Sequence, residues 1–169
     1  MLLAHELIGH AHDPAIVLIH GITDTFVPLE ADQRIGCRRG PRPEDLRGHG
    51  ESDSDVGYDP ISYATDVVET ASALGVNDAL VVGHSLGGVV ASAFAAIAPC
   101  RAVVNIDQSL RLSAFKAALE QLEPMLKGDD ESFQQALELM FTAMDGPLSA
   151  SEPARLRAHR RADQAVVLA

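Results

Sequence analysis

At 169 residues the chain has room for one domain with a real core and is too short for two independent ones. Hydrophobic residues make up 47% and charged residues 22%, which is ordinary for a soluble globular protein. The 24 acidic against 13 basic residues give a net charge of -11, which argues against a nucleic-acid surface because phosphate binding needs clustered Lys and Arg.

In chain order, Met1-Leu2-Leu3-Ala4 runs at once into His5 and Glu6, so the start carries no apolar signal-peptide core. Ala15-Ile16-Val17-Leu18-Ile19 is a short apolar, β-branched run that ends at His20-Gly21 and reads as a parallel strand buried on both faces. From Arg34 to Arg47 the text is rich in Arg, Gly and Pro where a strand is needed. Proline cannot donate to a sheet ladder and buried arginines need partners. This stretch reads as a surface loop in place of a strand, or as a local out-of-frame or deleted segment.

Asp59-Pro60 supplies a helix cap with proline at the first helical position, and Ile61, Ala64, Val68 and Ala71 repeat at helical spacing until Gly75. Ala79-Leu80-Val81-Val82 is a second buried strand. Leu86 to Ala98 is apolar nearly all round, as suits a helix packed on a sheet. Ala102-Val103-Val104-Asn105-Ile106 is a third strand, followed by Asp107. Strands alternating with helices predict a parallel α/β sheet.

From Leu112 the alternation stops. Leu112, Phe115, Leu119 and Leu122 make an apolar helical face that Pro124 and Gly128 should end. Phe133, Leu137, Met140, Phe141 and Met144 make another, ending at Asp145-Gly146-Pro147, and a charged helix is expected from Glu152 to Asp163. Three helices in a row predict a helical cap over 111–164, set on a core of 1–110. Ala165-Val166-Val167-Leu168 begins a further core strand. The longest apolar stretch, Val89 to Ala98, contains Ser92 and falls far short of a membrane span. A soluble cytoplasmic protein without membrane partners is expected. Cys37 and Cys100 have neither disulfide-framework nor metal-ligand spacing.

The chemistry concentrates in Gly83-His84-Ser85-Leu86-Gly87-Gly88, a G-x-S-x-G sequence between a predicted strand and a predicted helix. Such a turn strains the serine backbone and projects its hydroxyl above the sheet, while the flanking glycines leave room for the turn. The helix that follows aims its positive end at a developing oxyanion. A phosphate loop is excluded, since neither G-x-G-x-x-G nor Gly-Lys-Ser/Thr is present.

Three motifs, His20-Gly21, Gly48-His49-Gly50-Glu51-Ser52-Asp53 and Gly83 to Gly88, occur in an order and spacing that resembles the α/β-hydrolase fold family, in its esterase, lipase and peroxidase-like group. The resemblance implies an α/β-hydrolase-type parallel sheet with flanking helices and a helical cap. It implies a nucleophile at Ser85 and oxyanion-hole N–H donors at Ile22 and Leu86, with no metal or organic cofactor. The partner would be a small-molecule substrate with an apolar acyl or ester group, which the cap helices could roof unless their apolar faces serve packing alone. His49 would be structural.

The family's triad histidine follows the last core strand, whereas this sequence stops within the strand beginning at Ala165, so the late strands and that histidine are expected to be missing. Most relatives place the acid after that same strand. Some place it where Asp107 stands, and Asp107 is otherwise a strand-ending cap. Without a base, Ser85 should be a poor nucleophile and the chain should show negligible esterase activity. The competing expectation is a non-catalytic module of hydrolase descent, or a gene fragment.

Overall fold

The computed structural model describes residues 1–5, 7–9, 13–22, 39–41, 45–106, 108 and 113–145. Three parallel strands form the central sheet: β2 (Ile16–Ile19), β4 (Leu80–His84) and β5 (Ala102–Ile106), in the order β2-β4-β5. The register pairs Ile19 with Gly83, and His84 with Ile106, so the three C-terminal ends lie side by side with β4 in the middle.

Two helices cover one face of this sheet. Helix α2 (Leu86–Ile97) lies across all three strands and α1 (Pro60–Ala73) packs along it. Their shared core holds Val17, Ile19, Val81, Val90, Ala91, Phe94, Tyr63, Ala64 and Val67, with Leu3 and Leu46 closing one side. Asp59 caps α1 as its position predicts: its Oδ1 accepts from the backbone N–H of Ile61 at 3.0 Å and of Ser62 at 3.1 Å.

The expectation of strands buried on both faces needs correcting at β5. Val103 faces the core, but Val104 and Ile106 on the other face are 42% and 47% exposed. The described helices that pack on this sheet lie on one side, so β5 alternates as a half-covered strand does.

Residues 34–47 also depart from a plain loop. Arg39–Pro41 forms a three-residue strand, β3, paired antiparallel with β1 (Leu7–Gly9) in a separate two-stranded sheet. Pro41 ends the strand, a position where a missing N–H does little harm. Asp45 then bridges back to Ala4 through a 3.0 Å backbone bond. Among the described residues this stretch adds no hydrogen-bonded strand to the central sheet, but it supplies Leu46 to the core. Residues 34–38 and 42–44, Cys37 among them, lie outside the described residues.

Helices α3 (Ser113–Leu126) and α4 (Asp130–Asp145) form a second, smaller cluster around Leu126, Phe133, Ala136, Leu137 and Met140. Pro124 does not end α3 as expected. The helix runs past it to Leu126 even though Pro124 has no N–H to give the Glu120 carbonyl, and Lys127 N–H resumes the helical pattern with a 3.0 Å bond to Glu123 O. The expected helix at 152–163 and strand from Ala165 lie outside the described residues, and so does Asp107. No helix among the described residues is long and apolar enough to cross a membrane.

Candidate active site

Ser85 joins β4 to α2 with φ 52° and ψ -122°, a left-handed backbone that residues with a side chain rarely adopt. Three glycines make the turn possible. A Cβ on Gly83 would lie 1.8 Å from Gly87 O, and one on Gly87 would lie 2.2 Å from Ile19 O and 2.6 Å from His20 O. Gly88 is as tight, its would-be Cβ 2.3 Å from Asn105 Oδ1. Glycine here brings the start of α2 against the end of β2 on one side and of β5 on the other.

Backbone bonds secure the turn. Ser85 N–H donates to Ile106 O at 3.0 Å, which ties it to the residue just before Asp107. Gly88 N–H donates to Ser85 O at 2.8 Å, closing the first turn of α2. The Ser85 side chain makes no capping bond, and among the described residues its hydroxyl has no hydrogen-bond partner. The Leu86 N–H belongs to the open first turn of the helix, where backbone donors have no intrahelical acceptor.

On the neighbouring strand end, His20 is buried and its ring roles are assignable. Leu46 N–H donates to Nε2 at 3.0 Å, so Nε2 is the acceptor and Nδ1–H donates to Gly21 O at 2.7 Å. His49 is 1% exposed and its ring meets that of His20 edge to face, centroids 5.0 Å apart. Its Nε2 lies 2.6 Å from Ile22 O and its Nδ1 lies 3.1 Å from Arg47 O. The turn holding His49 needs positive φ at Gly48 (72°) and Gly50 (50°), where only glycine is unstrained.

Beneath that turn Arg47 Nε donates to Asp66 Oδ2 at 2.6 Å, both side chains buried, and its Nη1 donates to the carbonyls of Val56 and Gly57. The bond to Asp66 pushes the Arg47 guanidinium above its ordinary value. Next to it, burial pushes the Tyr63 phenol up as well.

Ser85, the His20–Ile22 segment and Ile106 thus meet at the C-terminal ends of β4, β2 and β5, the end where open α/β sheets bind ligands. A shallow open cleft of about 370 Å³ lies at the opposite ends of the same strands, lined by Asp13, Ala15, Asn77, Asp78 and Arg101, and does not reach Ser85. Among the described residues no three His, Cys, Asp or Glu side chains gather as metal ligands. Asp107, and the histidines at 10, 12 and 159, lie outside the described residues. His84 is exposed at the end of β4. The contacts of His20 and His49 to the carbonyls after β2 were not anticipated from sequence. The only signal for them is the repeated His-Gly of His20-Gly21 and His49-Gly50.

The family model described as the alpha/beta hydrolase family matches residues 16–168. The chain belongs to the alpha/beta hydrolase family. Within it, the chain is 34% identical over 127 residues to the 2-(acetamidomethylene)succinate hydrolase of Mesorhizobium japonicum, covering 72% of this chain and 44% of that protein. A hydrolase from Pseudomonas aeruginosa superposes with a TM-score of 0.76 at 28% identity, covering 98% of this chain and 65% of that one. An esterase from Thermogutta terrifontis does so with a TM-score of 0.60 at 26% identity, covering 74% and 48%. The chain therefore spans 25% to 44% of the length of the curated relatives it matches and less than two thirds of these structures.

Proposed function

We propose that the chain carries the nucleophile and oxyanion half of a serine-dependent hydrolase that cleaves an ester, or a related acyl or carbon–carbon bond, through an acyl-serine intermediate. The observation that carries this reading is the backbone of Ser85, φ 52° between a strand and a helix N-terminus, with its hydroxyl left out of capping. Strain of this kind persists only where the surroundings over-determine it.

In this mechanism Ser85 Oγ attacks the substrate carbonyl carbon and gives up its proton to a histidine outside the described residues. The N–H groups of Leu86 and Ile22 hold the resulting oxyanion. The leaving group departs with that proton, and water then hydrolyses the acyl-serine by the reverse roles. Asp107, directly after the carbonyl that accepts from Ser85 N–H, is the proposed acid that orients the histidine. The substrate is a small molecule with an apolar acyl group. Phe133 and Met140, 3% and 7% exposed, belong to the cluster that packs α3 on α4.

The test is hydrolysis of nitrophenyl acetate by the purified whole protein, with the modified residue located by mass spectrometry. Acetyl on Ser85, and loss of turnover in Ser85→Ala, are expected; acetyl elsewhere would overturn the reading. The competing reading is a non-catalytic module of hydrolase descent. An in-frame continuation beyond codon 169 that encodes a late Asp and His would discriminate against it.

A further inference from the structure

The two buried histidines act on consecutive carbonyls of the segment after β2. His20 Nδ1–H holds Gly21 O at 2.7 Å, and His49 Nε2 meets Ile22 O at 2.6 Å. The shorter of the two His49 contacts is Nε2 to Ile22 O at 2.6 Å, against 3.1 Å from Nδ1 to Arg47 O, and a protonated Nε2 donates to the Ile22 carbonyl.

A trans peptide is planar, so its C=O and the next N–H point in opposite directions. Holding Gly21 O towards the His20 ring therefore turns Ile22 N–H away from that ring. Holding Ile22 O fixes the following peptide plane, so Ile22 is gripped on both sides. We infer that His20 and His49 form a clamp that keeps Ile22 N–H turned towards Ser85, with His49 as a positioning residue for the oxyanion hole. The inference rests on the reading of Ile22 as an oxyanion donor.

The clamp is itself held by the turn around Leu46 and Arg47. Leu46 N–H fixes the His20 tautomer, and His49 N–H donates to Leu46 O at 2.9 Å. The Arg47–Asp66 pair then anchors that turn to α1. Gly87, touching the carbonyls of Ile19 and His20, brings the Leu86 donor to the same strand end. Both donors are thus preorganised by groups that never touch the substrate.

Two near-isosteric variants separate the contacts. The amide of His49→Gln reaches where Nε2 stood and keeps the bond to Ile22 O. His49→Asn reaches only where Nδ1 stood and keeps the contact with Arg47 O. The first measurement is 15N relaxation on the 169-residue chain, which does not depend on catalysis. The Ile22 amide should have an order parameter of about 0.85 in the unaltered chain and in His49→Gln, falling towards about 0.6 in His49→Asn. Unchanged Ile22 order in His49→Asn would overturn the clamp.

The second measurement is the rate of Ser85 acetylation by nitrophenyl acetate in the whole protein. His49→Asn should lower kcat about 10- to 100-fold with KM within twofold, approaching the 10²–10³ cost of losing an oxyanion donor, and His49→Gln should restore it. Loosened Ile22 with undiminished acetylation would overturn Ile22 as a donor and leave the clamp standing. Failure of the unaltered protein to acetylate Ser85 would overturn the proposed function, while the relaxation data still decide the clamp.

Discussion

The backbone of Ser85 gives a prediction whose sign is unusual. At φ 52° and ψ -122° a residue with a Cβ pays about 1–3 kcal/mol in strain, and glycine pays none. Against this, glycine loses about 0.5–1 kcal/mol more chain entropy on folding. Removing one half-buried methyl costs less than about 0.8 kcal/mol. Central values leave about 1 kcal/mol in favour of Ser85→Gly over Ser85→Ala, a few degrees in Tm for a domain of this size. Both variants lose the hydroxyl, so its contacts cancel in the comparison. Ser92 serves as control: it sits inside α2 with its hydroxyl on Gly88 O at 2.8 Å, and there glycine should be less stable than alanine by about 0.5–1 kcal/mol. The assay is urea unfolding of the four variants, compared by midpoint at equal slope. If Ser85→Gly is no more stable than Ser85→Ala, the turn is not strained and the argument for a nucleophile elbow loses its main physical support.

Other perturbations follow from the same contacts. Gly87→Ala sets a Cβ against two backbone carbonyls that cannot swing aside, and should cost about 1–3 kcal/mol by thermal unfolding; a neutral result would mean that α2 can slide on β2. Asp66→Ala strands the buried Arg47 guanidinium, also removes the 2.9 Å partner of the N-terminal ammonium, and should cost about 3 kcal/mol, whereas Arg47→Met with Asp66→Leu should recover the Arg47 part of it; a double variant as unstable as the single one would refute the account of Arg47 as a stranded charge. Hydrogen bonds from the Ser62 hydroxyl and backbone hold the Asp59 carboxylate below its ordinary range. Its stabilisation is therefore complete above the ordinary carboxylate range and is lost as pH falls through the lowered value. Tm scans from pH 7 down should show a smaller acid loss for Asp59→Asn than for the unaltered chain; parallel curves would remove the cap from the account of acid unfolding.

What the sequence by itself determined is what depends on neighbours close along the chain. Apolar runs of four or five residues marked β2, β4 and β5. Asp59-Pro60 marked the start of α1, because a cap needs only the N–H groups two and three residues ahead. The Gly83–Gly88 motif marked the turn at Ser85, because its steric demands fall on adjacent residues. Tertiary structure decided the rest. Composition argued against a strand at Arg39–Pro41, yet Leu7–Gly9 supplies an edge partner outside the central sheet. Nothing near His20 or His49 in sequence tells a base from a clamp, since a ring nitrogen takes its role from the group facing it. Here those groups are Leu46 N–H, 26 residues from His20, and Ile22 O, 27 residues from His49, brought into reach only when the turn at Gly48 folds against the end of β2.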